Sequence, residues 1–148
     1  MDYSIIIPTK NRAIAVNELL ESIYSTSDNF EKVEICFYID NDDNESKTCI
    51  LQLIEKYGKN IKYTSSEKKL NLSQMWNYAY ENISTGEILM LCADDIRFRT
   101  KSWDTIIKNE FLKVNDKILL EGIQTVKDDD KIKTEFIAAE KVIAQINK

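Results

Sequence analysis

Apolar positions along this chain recur with two periods. Tyr3-Ser4-Ile5-Ile6-Ile7 is short and β-branched, which predicts a first strand closed by Pro8, whose missing N–H cannot feed a sheet ladder. Thr9-Lys10-Asn11-Arg12 then forms a loop. Val16, Leu19, Leu20 and Ile23 follow at helical spacing, predicting an amphipathic helix from Arg12 to about Ser25. Val33–Ile39 reads as a second buried strand running into the acidic loop Asp40–Glu45. Cys49, Ile50, Leu53 and Ile54 mark one face of a second helix, with Gly58 as its stop. Ile61–Thr64 is a weaker, edge-like third strand. Leu72, Met75, Trp76 and Ala79 predict a helix over Leu72–Asn82.

The stretch Ile88–Ala93 is apolar without interruption and ends at Asp94-Asp95. A run of this kind suits a central strand covered on both faces. Beyond it, Ser102 is placed to cap a helix carrying Trp103, Ile106, Ile107 and Phe111. Lys117–Ile123 reads as a further strand, Lys127–Lys131 as a charged turn, and Thr134–Ile146 as a closing helix. Trp76 and Trp103 could stack on a sugar or base, but spaced among apolar residues they are expected in the core. Strand and helix alternate with short loops, so the expected fold is one α/β domain with a mostly parallel central sheet flanked by helices on both faces. The loops after the first, second and fourth strands then share one sheet edge. Pro8–Arg12, Asp40–Asp43 and Asp94-Asp95 converge there, where open α/β sheets bind ligands.

Composition narrows the chemistry. With 148 residues the chain has room for one domain, and 43% hydrophobic with 30% charged residues marks it as globular. A net charge of -5 argues against a nucleic-acid partner, whose phosphates need clustered cations. No apolar segment approaches the length of a membrane span and no secretion signal opens the chain, so a cytoplasmic protein is expected. Cys36, Cys49 and Cys92 fit buried, reduced thiols. The chain holds no His, which removes His-based nucleophilic schemes and makes zinc a poor candidate. Two adjacent carboxylates at a strand end can instead bind a hard divalent cation together with a phosphate-bearing ligand. The plainer account of Asp94-Asp95 is a helix cap.

Ser4-Ile5-Ile6-Ile7-Pro8-Thr9-Lys10-Asn11-Arg12 resembles the opening of family 2 glycosyltransferases, a hydrophobic strand followed by Pro-Thr-Tyr-Asn-Arg. Leu19–Ile23 is similar to the family's first helix, and Tyr38-Ile39-Asp40-Asn41-Asp42 to its second strand and acidic loop. Asn77, Ala79 and Thr85-Gly86-Glu87-Ile88 resemble its helix Asn and Gly-Glu strand entry. Leu91-Cys92-Ala93-Asp94-Asp95 resembles its Leu-Asp-Ala-Asp-Asp metal motif. The resemblance runs, in the family's order, over roughly the first two-thirds of the chain. Here Cys92 stands in for an Asp, and Asn41-Asp42-Asp43 lacks the glycine of the usual turn.

The resemblance implies a single GT-A (Rossmann-like) domain over 1–148, with 1–100 the nucleotide-sugar-binding part and 101–148 a short remnant of the acceptor part. It implies a nucleotide-diphosphate sugar donor, UDP-sugar favoured, held with Mg2+ or Mn2+, and an inverting transfer to a glycan, lipid or protein hydroxyl. Pro8, Thr9, Asn11 and Arg12 would line the nucleoside pocket, with Asn77 nearby. Asp40 would accept the base N–H with help from Asp42. Asp94 would lie near the ribose or sugar and also reach the metal, and Asp95 would be the principal metal ligand. Glu121, at an expected strand end, is the candidate general base, ahead of the Asp128–Asp130 run. Arg97 and Arg99 could steady the diphosphate or the acceptor and Lys68-Lys69 could lie at the cleft rim, while a solvated face accounts for each as well. A donor-binding module without turnover shares every feature except the base, and a plain interaction domain would show no metal-dependent nucleotide binding.

Overall fold

A computed structural model of the chain describes residues 1–114, 120–127 and 131–138. Its elements are β1 (Tyr3–Thr9), α1 (Ala13–Thr26), β2 (Val33–Ile39), α2 (Asn44–Tyr57), β3 (Ile61–Thr64), α3 (Leu72–Ile83), β4 (Ile88–Leu91), α4 (Trp103–Val114), β5 (Leu120–Lys127) and β6 (Lys131–Ala138). β1 to β4 form one parallel sheet in the order β3-β2-β1-β4. The chain thus builds outward from β1 to β3, then returns to pair β4 on the other side of β1. The gap between β1 and β4 is a topological switch point. The α/β class and the parallel sheet are those expected.

Contacts divide the chain into two compact units, 1–21 with 29–97 and 22–28 with 98–148, α1 running through the division. In the first, β1 and β2 are almost entirely buried. Alternation puts Ile6, Cys36 and Tyr38 on one face, where they cluster with Ala79 of α3 and with Met75, Trp76 and Ile83 around them. Helix α2 begins at an Asp43 N-cap and ends at Gly58, whose φ of 101° is in the region that favours glycine. Asn71 and Gln74 form a reciprocal capping box at the start of α3.

The second unit carries a buried Trp103, whose indole N–H donates to the Ile23 carbonyl at 3.3 Å and whose ring meets Phe98 edge-on. Ser102 stands immediately before α4, where its carbonyl accepts from the Ile106 amide at 3.0 Å, and its hydroxyl donates to the Asp28 carboxylate at 2.8 Å. β5 and β6 pair antiparallel as a two-stranded sheet of their own.

Several expectations give way here. β4 is not a strand covered on both faces: its positions alternate between half-buried and exposed, with Leu89 41% and Leu91 56% exposed. Among the described residues it pairs with β1 alone, so one edge is unpaired. β1 continues through Pro8 to Thr9, because a proline can hold the extended backbone while another residue carries the ladder. The closing helix expected over Thr134–Ile146 is contradicted at its start. Ile132, Thr134 and Phe136 alternate with Lys131, Lys133 and Glu135, a period-two signal, and these residues lie in β6. Residues 139–148 and the Asp128–Asp130 turn lie outside the described residues.

One polar cluster ties the sheet together at the end opposite the cleft described below. The fully buried Glu34 of β2 accepts from the Ser4 hydroxyl of β1 at 2.6 Å, from Lys62 of β3 at 2.7 Å, and from both the amide and the hydroxyl of Thr85. Burial works against its charge, but these donors prevail and pull its carboxyl down to about 2. Next to it, the Gly86 amide donates to the Ser4 hydroxyl at 2.7 Å. A Cβ on Gly86 would stand 2.4 Å from the Tyr3 carbonyl carbon and 2.5 Å from the Ser4 nitrogen, so any larger residue must push β1 away.

Gly86→Ala is therefore expected to lower unfolding stability by about 2–3 kcal/mol in urea titration, since backbone and not a movable side chain blocks the methyl. Glu34→Gln is expected to cost about 3 kcal/mol by breaking a buried ion pair. Glu34 has a depressed folded pKa, so its contribution is complete above the unfolded carboxylate pKa of about 4.3 and is lost as pH falls toward about 2. Urea midpoints of the wild type should fall across that window more steeply than those of Glu34→Gln. Parallel curves would reject this account.

Candidate functional site

The C-terminal ends of β1, β2 and β4 open onto a cleft of about 610 Å³ in the first unit, bounded on its apolar side by Leu72, Met75 and Trp76 of α3. Three loops supply its polar groups, and each is shaped by local bonds. After β1, Asn11 takes a φ of 52°, a left-handed conformation that asparagine tolerates. Its amide faces the Asp43 carboxylate at 3.4 Å and the Ser46 hydroxyl at 3.2 Å. The next residue, Arg12, offers its carbonyl to the Val16 amide at 2.9 Å and so opens α1. The loop that aims Arg12 is thereby pinned to the start of α2.

After β2, the Asp43 amide closes a turn onto the Asp40 carbonyl at 3.0 Å. Among the described residues only Asn11 and Ser102 are non-glycine residues of positive φ, so this turn needs no glycine and Asn41-Asp42-Asp43 serves in its place. Asp43 accepts from the Ser46 amide at 3.0 Å and hydroxyl at 2.6 Å. Although burial opposes its charge, these bonds hold its carboxyl below the usual carboxylate range. Asp40 is buried at the cleft, and Lys10 and Lys69 each bring an ammonium within 3.4 Å of its Oδ2.

After β4, the Cys92 amide still bonds the Ile6 carbonyl at 3.0 Å, and Asp94 and Asp95 occupy the middle of the turn that follows. Asp94 is buried. Its Oδ2 accepts from the Thr9 hydroxyl at 2.9 Å and its Oδ1 from Arg12 at 3.0 Å. The Asp95 side chain is 67% exposed and stands 3.9 Å from Arg12. Burial, and then the charges of Asp94 and Asp95, push the Cys92 thiol up to about 12, so without a metal ion it stays protonated.

Of the residues singled out in the sequence, Pro8, Thr9, Asn11, Arg12, Asp40, Asp94 and Asp95 line this one cleft. Asp42 does not. It lies exposed with Lys69, 3.1 Å away, on a smaller hollow of about 170 Å³ that Asp40 also borders. Asn77 is exposed on α3 and is not among the lining residues. Arg97 pairs with Glu18 instead of reaching the cleft. Glu121 is on β5 opposite Ile137, and its side chain lies outside the described residues. Lys10, Leu72 and Met75 were not singled out from sequence as site residues. Trp76 had been expected in the core, and it serves both core and cleft: half-buried, it packs beside Ile6 and Cys36 while lining the pocket, and its indole nitrogen is buried with no hydrogen-bond partner. A helix stripe immediately after the Lys68-Lys69 loop was the available signal, and it has the same spacing as an ordinary core face.

The donor set suits a hard cation. Asp94 and Asp95 offer carboxylate oxygens of the kind Mg2+ and Mn2+ accept, and such ions are commonly held by one or two carboxylates plus substrate phosphates. Among the described residues no group of three or more His, Cys, Asp or Glu could hold a metal ion. The fit is therefore to a site completed by ligand oxygens, not to an all-protein cage. Also among the described residues, no helix is long and apolar enough to cross a membrane.

No curated protein matches the sequence. Among solved structures, S. aureus TarS 1-349 in complex with UDP superposes with a TM-score of 0.67 at 22% identity, over 88% of this chain and 38% of that one. The same fragment in complex with UDP-GlcNAc gives 0.66 at 21% identity, over 88% and 37%. The mannosyltransferase PcManGT from Pyrobaculum calidifontis, in complex with GDP-Man and Mn2+, gives 0.64 at 20% identity, over 84% and 35%. At these identities the likeness establishes the GT-A fold, and the chain spans less than two-fifths of each structure's length. The family model of glycosyl transferase family 2 matches residues 4–136, and the chain belongs to that family.

Proposed function

We propose that this chain binds a nucleotide-diphosphate sugar, UDP-sugar in preference, and transfers its sugar with inversion to a hydroxyl of a glycan, lipid or protein acceptor. The observation that carries this reading is the convergence of Pro8–Arg12, Asp40 and Asp94-Asp95 on one cleft at the switch point of the sheet. The complexes of TarS with UDP and UDP-GlcNAc and of PcManGT with GDP-Man and Mn2+ support the donor class. The three buried free cysteines fit a reducing, cytoplasmic setting.

In this reading Asp40 accepts an N–H of the base, with the ammonium groups of Lys10 and Lys69 beside its carboxylate. Leu72, Met75 and Trp76 cover an apolar side of the nucleoside. Thr9 fixes Asp94 toward the ribose or sugar, leaving the exposed Asp95 to hold Mg2+ or Mn2+. Such an ion, when bound, neutralises charge developing on the leaving diphosphate. The acceptor oxygen attacks the anomeric carbon as the bond to the diphosphate breaks, and the hydroxyl proton is assigned in this proposal to Glu121.

Calorimetric titration of UDP with and without Mn2+ tests the donor site. Binding should require the metal and weaken at least about tenfold in Asp95→Asn; equal binding with and without Mn2+ would reject the metal role. Asp40→Asn should weaken UDP about tenfold while leaving the metal requirement in place, because one charged acceptor for the base is lost. Glu121→Gln should keep donor binding and lose transfer. A variant that still transfers would remove Glu121 from the mechanism.

A further inference from the structure

The Asp94-Asp95 turn already carries a cation belonging to the chain. Arg12 Nη1 lies 3.0 Å from Asp94 Oδ1 and 3.9 Å from Asp95 Oδ2. The two carboxylates are not equivalent. Asp94 has each oxygen engaged, one by Arg12 and the other by Thr9, whereas Asp95 is two-thirds exposed and meets Arg12 only at the longer distance. Arg12 itself is 55% exposed, on a loop whose backbone is fixed through Asn11, Asp43 and Ser46. A fixed backbone with a half-exposed guanidinium is a group that can change partners without moving the loop.

Two adjacent carboxylates repel each other, and Arg12 offsets that repulsion while the cleft is empty. A divalent ion on Asp95 would repel the guanidinium at that range. A diphosphate offers it a new partner, since the planar fork of arginine matches phosphate oxygens in a two-point contact. We propose that Arg12 is an exchangeable counter-cation: it screens Asp94 and Asp95 in the free protein and passes to the donor's diphosphate as a divalent ion takes Asp95. This rests on the donor-site reading above. Its consequence is that metal alone binds weakly, that metal and nucleotide each tighten the other, and that the coupling is reciprocal. A fixed structural brace would behave otherwise, because removing it would weaken both ligands.

The test is titration of Mn2+ alone, and of UDP in excess Mn2+, on the wild type and on Arg12→Gln, Arg12→Lys and Lys10→Gln. Arg12→Gln should bind Mn2+ alone about fivefold more tightly, bind UDP more weakly, and reduce the factor by which UDP tightens Mn2+. Arg12→Lys keeps the charge and should stay within about twofold of the wild type for Mn2+ alone. Lys10→Gln removes the same charge beside Asp40 instead and should also stay within about twofold. Unchanged Mn2+ affinity in Arg12→Gln, or an equal gain in Lys10→Gln, overturns the exchange. If UDP binding needs Mn2+ and Asp95 while Arg12→Gln shows no gain, the exchange alone is wrong. If UDP binding ignores Mn2+ and Asp95→Asn, the metal reading fails and the exchange fails with it.

Discussion

The carboxylate of Glu34 is the constraint on which the parallel sheet depends. A charged group with no solvent exposure costs several kcal/mol unless every lone pair is matched, and here the matching comes from three separate segments. Ser4 brings β1, Lys62 brings β3, and Thr85 brings the turn that feeds β4. Each donor specifies where its segment must lie relative to β2. An apolar residue at the same position would bury as well but would specify far less. Gly86 completes the arrangement by letting the turn before β4 come within bonding distance of Ser4.

That register has its effect at the other end of the strands. Because β4 pairs with β1 in parallel from Tyr3↔Ile88 to Ile6↔Leu91, the Asp94-Asp95 turn arrives beside Thr9 and Arg12. Moving β4 by one residue would turn Asp94 away from Thr9. The site's charge balance is equally local. Although the whole chain is acidic, each buried cleft carboxylate has cations of its own: Lys10 and Lys69 at Asp40, and Arg12 at Asp94. An anionic ligand entering here meets two cationic side chains lining the cleft, Lys10 and Arg12, so the overall charge of -5 is a poor guide to what it binds.

The sequence by itself determined the strand–helix order through residue 114, the parallel class of the sheet and the loops that line the cleft, because each rests on local periodicity, punctuation and short motifs. β2 and β3 fall on the residues their apolar patterns marked, and Gly58 stops α2 as its position implied. Only the tertiary structure decided the rest. Nothing in Val33–Ile39 distinguishes Glu34 as a buried hub, since its partners lie up to 51 residues away. An apolar run cannot tell whether it will have neighbours on both sides, so β4 was read as central although its unpaired edge leaves alternate residues exposed. The Leu72–Trp76 stripe reads as a core face until the position of α3 puts part of it at the cleft mouth. Asp94 and Asp95, adjacent and chemically identical, acquire different surroundings only when Thr9 and Arg12 claim one and leave the other to solvent, because hydrogen-bond partners across 82 and 85 residues are set by packing and not by spacing.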